Sequence, residues 1–180
     1  MRITLARLRG SLCIAAATGA VLLMLGMPAH AQASGSSGTQ FVGTWIHDVA
    51  GGPALVTIHS DGTLMVSSSF MFGRPGWPVR FSPIHAVWEK TGPKSIAITS
   101  IFFVFDADGT MTAYQRNRCF LRLGHDRDSY AGVEFMETLP CEAGSCPDPL
   151  DPTARWIPSD TMPETGYPSS GARLKVVRVR

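Results

Sequence analysis

TMTAYQRNRCFLRL, Thr110 to Leu123, is the segment from which the architecture can be inferred. Side chains alternate between the two faces of a β-strand. One face of this segment then carries Thr112, Tyr114, Arg116, Arg118, Phe120 and Arg122, and the other Met111, Ala113, Gln115, Asn117, Cys119, Leu121 and Leu123. Three arginines do not enter a dry core at tolerable desolvation cost, so their face meets solvent. The inner face is apolar at both ends, with the amides of Gln115 and Asn117 in its middle. A buried amide needs a partner, because an unmet one costs roughly 1–3 kcal/mol. The partner would be another side chain, ordered water or a ligand; a β-bulge that turns the amides outward is the structural alternative.

Outward from this segment, both directions of the chain read as short strands divided by turn chemistry. Asp106-Ala107-Asp108-Gly109 precedes it and Gly124 to Asp128 follows it. Upstream come Phe41 to Val49, Ala54 to Ser60, Thr63 to Ser69, Ile84 to Lys90 and Lys94 to Phe105. Downstream come Ser129 to Leu139 and Ala172 to Val179. Asp61-Gly62 is the strongest hairpin signal, because glycine accepts the positive φ of a tight turn. Phe70 to Ser82, rich in Gly, Pro and aromatics, reads as a long loop. No helical pattern interrupts the strands, so a parallel βαβ sheet is not expected. About eight antiparallel strands in sequence order predict an all-β, up-and-down β-barrel, since closure removes exposed edges. Between Pro147 and Gly171 lies a segment with six prolines and the apolar residues Trp156, Ile157, Met162 and Tyr167. Such a segment would cover a barrel mouth or wrap the wall.

The amino terminus reads as a secretory signal. Arg2, Arg7 and Arg9 precede an apolar run from Leu12 to Met27, and Pro28 leads into Ala29-His30-Ala31, a small-x-small cleavage site. The expected organisation is therefore a signal peptide over 1–31, a Gly/Ser-rich leader over 32–40 and one domain over 41–180. The expected location is periplasmic or secreted, with the membrane met only during export. Loss of the three signal arginines leaves 13 basic and 14 acidic groups, a net charge of −1. No basic stripe remains to suggest nucleic acid as a partner.

Cys119, Cys141 and Cys146 remain after the cut. An oxidising compartment favours pairing. Cys141 and Cys146, separated by Glu-Ala-Gly-Ser, are the expected disulfide. Cys119 is then a lone thiol that reads as a small buried hydrophobe. A zinc site at Cys141 and Cys146 is the alternative, but no second cysteine pair or spaced histidine pair completes it, and no metal or cofactor is expected. His59 and His125 sit beside turns and read as solvated.

Gly43-Thr44-Trp45, which opens the domain, resembles the Gly-x-Trp start of lipocalins and other calycin barrels. The likeness extends more loosely over Phe41 to Leu139, through LVTIHSDGTL, PIHAVWEKTGPKSIAIT and FDADGTMTAYQRNRCFLRL. It is similar to small secreted bacterial barrel proteins with an Asp-Gly turn, a His-x-x-Trp strand and a Gly-Pro turn. The resemblance implies a barrel whose tryptophan closes the floor, with a basic residue of the last strand packed across it. Arg178 would fill that role, or else Arg180 or Arg173. Lipocalins carry a helix before the last strand, where this chain has its Pro-rich segment. The resemblance implies small apolar ligands and supplies no catalytic residue.

Strand alternation nominates Trp45, His47, His85, Phe102, Gln115, Asn117 and Tyr130 as the lining of a cavity. The leading expectation is a barrel that binds a small, mainly apolar molecule. One alternative is an enzyme with His47 or His85 as acid/base and Glu89 or Glu134 as partner. Another is a secreted inhibitor or protein-interaction module that uses the leader.

Overall fold

Aspartates fasten the tight turns that fold this chain back on itself. Asp61 Oδ1 accepts hydrogen bonds from the backbone N–H and the hydroxyl of Thr63, at 2.9 and 2.6 Å. Asp106 Oδ1 accepts from the N–H groups of Asp108 and Thr110, and Asp126 Oδ1 from those of Asp128 and Ser129. These carboxylates stay below the ordinary aspartate range at Asp61 and Asp126, first because of the Thr63 and Ser129 side-chain hydrogen bonds. Gly62 and Gly109 hold φ of 89° and 84°, the left-handed geometry that such turns demand.

The structure, a computed structural model, describes residues 39–49, 52–73, 78–142, 145–160 and 163–175. The expected signal peptide and residues 32–38 of the expected leader lie outside these. The strands are β1 (Gly43–Val49), β2 (Gly52–Ile58), β3 (Thr63–Ser68), β4 (Arg80–Phe81), β5 (Ile84–Gly92), β6 (Ser95–Phe105), β7 (Met111–Leu123), β8 (Ser129–Pro140), β9 (Ile157–Pro158) and β10 (Tyr167–Arg173). Neighbours pair antiparallel in the order β1-β2-β3-β5-β6-β7-β8-β10, and β10 pairs with β1. The result is a closed, eight-stranded, up-and-down barrel. The two-residue strands extend the wall at one rim, β4 along β6 and β9 along β8.

The expected last strand, Ala172 to Val179, overlaps the observed one only at Ala172 and Arg173, and its residues 176–179 lie outside the described residues. The closing strand runs over Tyr167–Arg173, starting at a proline-flanked tyrosine. Closure decides this. β10 must bridge β8 and β1 at once, and its register, Gly171 against both Tyr130 and His47, fixes its ends. Likewise Phe41 lies in a 3₁₀ turn, Thr39–Phe41, ahead of β1. The Phe70 to Ser82 loop contains a second 3₁₀ turn, Ser69–Phe72, and β4.

The described part of the Pro-rich segment wraps the wall through β9 and also reaches the cavity mouth at Ser159 and Tyr167. β9 pairs with Glu137 and Thr138, and the Ser159 N–H donates to Met136 O at 3.0 Å. Trp156 receives the Arg116 guanidinium at 4.3 Å from its ring centre. Arg116 and Arg118 both reach Glu137 on the outer surface, as the charge on that strand face requires. Cys141 and Cys146 form the expected disulfide.

Trp45 anchors the barrel floor and is fully buried. Its indole N–H donates to Phe41 O at 2.8 Å. Arg173, the terminal residue of β10, stacks 4.2 Å from the Trp45 ring centre and donates to the carbonyls of Val42 and Gln40. The basic residue across the tryptophan is thus Arg173; Arg178 and Arg180 lie outside the described residues. Gly43 makes room for it, because a Cβ there would stand 2.8 Å from Arg173 Nη1, and the φ of 131° suits only glycine. Around this floor pack Ile58, Leu64, Ile96, Leu121 and Leu123.

Candidate functional site

Above the Trp45 floor the barrel encloses a cavity of about 440 Å³. This lies within the ~300–1,000 Å³ typical of small-molecule sites. Its walls are mainly apolar and draw Val56 from β2, Leu64 from β3, Ala86 from β5, and Ile98 and Phe102 from β6. The rim is made by Met71 of the second 3₁₀ turn, Phe81 of β4, Ser159 after β9 and Tyr167 of β10.

The nominated residues separate cleanly. His47, Phe102, Gln115, Asn117 and Tyr130 line the cavity. Trp45 is buried beneath it, its ring centre 5.0 Å from that of Tyr130. His85 does not belong to the site. It stands on the exposed outer face of β5 with Val87 and Glu89, paired between Met65 and Ile101. Its neighbour Ala86, between Leu64 and Ser100, faces inward, and alternation forces His85 out. His59 and His125 are exposed.

At the deep end a polar cluster interrupts the apolar lining. His47 Nδ1 lies 2.7 Å from the Tyr130 hydroxyl, and Nε2 lies 2.5 Å from Glu134 Oε1. His47 and Glu134 are 7% and 5% exposed, so the pair sits in a low-dielectric setting. A carboxylate only accepts, which places the Nε2 proton on His47 toward Glu134 and leaves neutral Nδ1 to accept from the tyrosine O–H. Burial, then the Glu134 charge, pushes the Tyr130 hydroxyl far above its ordinary value and keeps it protonated as this pattern requires. Cys119 completes the group. It is directly opposite Glu134 across β7 and β8, and burial followed by the Glu134 charge holds its thiol well above the usual range. Cys119 is therefore a neutral thiol beside a carboxylate, with no thiolate character to make it a nucleophile.

Gly171 lets this cluster assemble. A Cβ there would stand 2.2 Å from the Tyr130 ring, so only glycine on β10 admits the tyrosine. Further up the wall, the Gln115 amide donates to Met136 Sδ at 3.3 Å, whereas Asn117 Oδ1 is buried without a hydrogen-bond partner.

Glu134 was visible in the sequence only as one of two carboxylates offered to histidine. Its signal was present: Tyr130, Gly132, Glu134 and Met136 alternate onto one face of β8, so an inward Tyr130 carries Glu134 with it. Cys119 was expected as a buried hydrophobe, and its acidic neighbour appears only when β7 and β8 pair. Among the described residues, no three histidine, cysteine or acidic side chains gather as a metal site, and no helix is long and apolar enough to cross a membrane.

Fold and cavity together define a closed antiparallel barrel with an internal site, an architecture consistent with calycin-like barrels. Compared with protein-family models, curated proteins and solved structures, the chain matches none.

Proposed function

We propose that this protein is an exported barrel that binds one small, mainly apolar molecule. The cavity of about 440 Å³ carries the reading: apolar walls with a few convergent polar groups are what such a ligand requires. The Cys141–Cys146 disulfide supports residence in an oxidising compartment, periplasmic or secreted.

The test uses the purified protein and N-phenyl-1-naphthylamine, a neutral dye that fluoresces in apolar sites. Saturable fluorescence is expected, and Ala86→Phe, which projects a ring into the cavity, is expected to abolish it. Absence of any saturable signal, together with no small molecule on solvent extraction, would overturn the reading.

A second reading, a barrel enzyme using general acid–base chemistry, is favoured by one observation, the buried His47–Glu134 pair. Both ring nitrogens of His47 already have partners, so a substrate would have to displace one of them. Deuterium uptake from solvent beside the carbonyl of small ketones, lost in His47→Gln, would support it.

A further inference from the structure

The charges that reach the cavity point to the end group of its ligand. Among the described lining residues there is no lysine or arginine, and Glu134 is the one acid. Arg116, Arg118 and Arg122 occupy the opposite face of β7, where side-chain alternation commits them to the exterior. The cluster at the deep end contains Glu134, His47, Tyr130 and Cys119, of which only His47 can become positive. With His47 neutral the cluster carries a net charge of −1; with His47 protonated it is neutral. In neither state does it present net positive charge to a ligand.

The hydrogen-bond pattern agrees with the charge. With His47 neutral, the Tyr130 proton points at Nδ1 and the Nε2 proton at Glu134. What these groups have left to offer are oxygen lone pairs. Asn117 adds a buried carbonyl oxygen with no partner. A carboxylate entering here would lose its water without gaining a counter-ion, a cost that burial makes severe. A hydroxyl or ammonium group would instead supply the donor that these acceptors lack.

We infer that the cavity takes a small, mainly apolar molecule ending in a hydrogen-bond donor, an alcohol or a primary amine, and discriminates against the matching carboxylic acid. The inference rests on the binding reading above and names the chemistry of the ligand's polar end. Glu134 supplies the charge and Asn117 the unpaired acceptor. His47, held between Tyr130 and Glu134, acts as a positioning residue that fixes which atoms face the ligand.

The experiment is a calorimetric titration of the purified protein at pH 8 with three probes of one chain length: octan-1-ol, octylamine and octanoate. Both donors are expected to bind more than threefold tighter than octanoate. Either donor falling within threefold of octanoate, or weaker, overturns the inference and leaves the binding barrel standing. No heat from any probe, with a positive dye signal, also overturns it; no heat and no dye signal removes the binding reading itself. Glu134→Gln is expected to bring octylamine and octanoate within threefold of each other. A folded Glu134→Gln protein that keeps the full preference overturns the assignment to Glu134, and the wild-type titration stands as a test even where this variant does not fold.

Discussion

His47 and Glu134 are 87 positions apart in the chain and meet at 2.5 Å inside the barrel. Removing one partner of a buried hydrogen bond leaves the other unsatisfied, at a cost of ~1–3 kcal/mol, whereas replacing both by apolar residues is often close to neutral. Glu134→Leu strands the Nε2 proton of His47 and is therefore expected to lower unfolding free energy by about that amount in urea denaturation. The double change His47→Leu with Glu134→Leu is expected to be more stable than Glu134→Leu alone. A double variant no better than the single would show that the pair is not coupled. The residue scale is also where the sequence was least sufficient. An inward His47 follows from its place two residues after Trp45, but its partner depends on which strand closes against which.

Among the elements, β1 and β10 form the seam that closes the cylinder, and Gly43 and Arg173 hold its lower end. Two glycines with positive φ separate backbone strain from crowding. A Cβ on Gly109 would meet nothing within 4 Å, so Gly109→Ala tests the turn geometry alone. It is expected to cost about 1 kcal/mol. Gly43→Ala adds a collision with Arg173, which loosens the guanidinium from Trp45 and from the carbonyls it holds. Its expected cost is about 3 kcal/mol. Thermal unfolding of the two variants checks the order; equal losses would deny the arginine its structural role. Most strands were legible at this scale because aspartate and glycine announce their turns and because charge settles which face of β7 meets water. β10 was not, since its limits answer to two partners distant in sequence rather than to its own composition.

For the whole molecule, the buried cluster links stability to alkaline pH. The folded state raises the Cys119 thiol above its ordinary 9.0 and the Tyr130 hydroxyl above its ordinary 10.0. A group raised in this way holds its proton more tightly folded than unfolded. Its stabilising contribution is complete below the unfolded value and declines as pH climbs toward the folded one. The melting temperature is expected to fall as pH rises above about 9, with Cys119→Ala flattening the first part of the decline. A melting temperature that stays level from pH 8.5 to 11 would contradict the burial of both groups.

Residue order alone was enough to establish that the chain makes antiparallel strands, which face of β7 meets water, that Trp45 lies inside and that Cys141 can reach Cys146. These follow from local rules: side-chain alternation, turn chemistry, the cost of burying arginine and short loop closure. The folded barrel was needed to show that His85 faces out, that Arg173 covers Trp45, and that Tyr130, His47, Glu134 and Cys119 gather at the base of a cavity. Those outcomes depend on strand register: at the closing seam for His47, Tyr130 and Arg173, along β3, β5 and β6 for His85, and between β7 and β8 for Cys119 beside Glu134. Register is a property of paired strands, and no single segment encodes it.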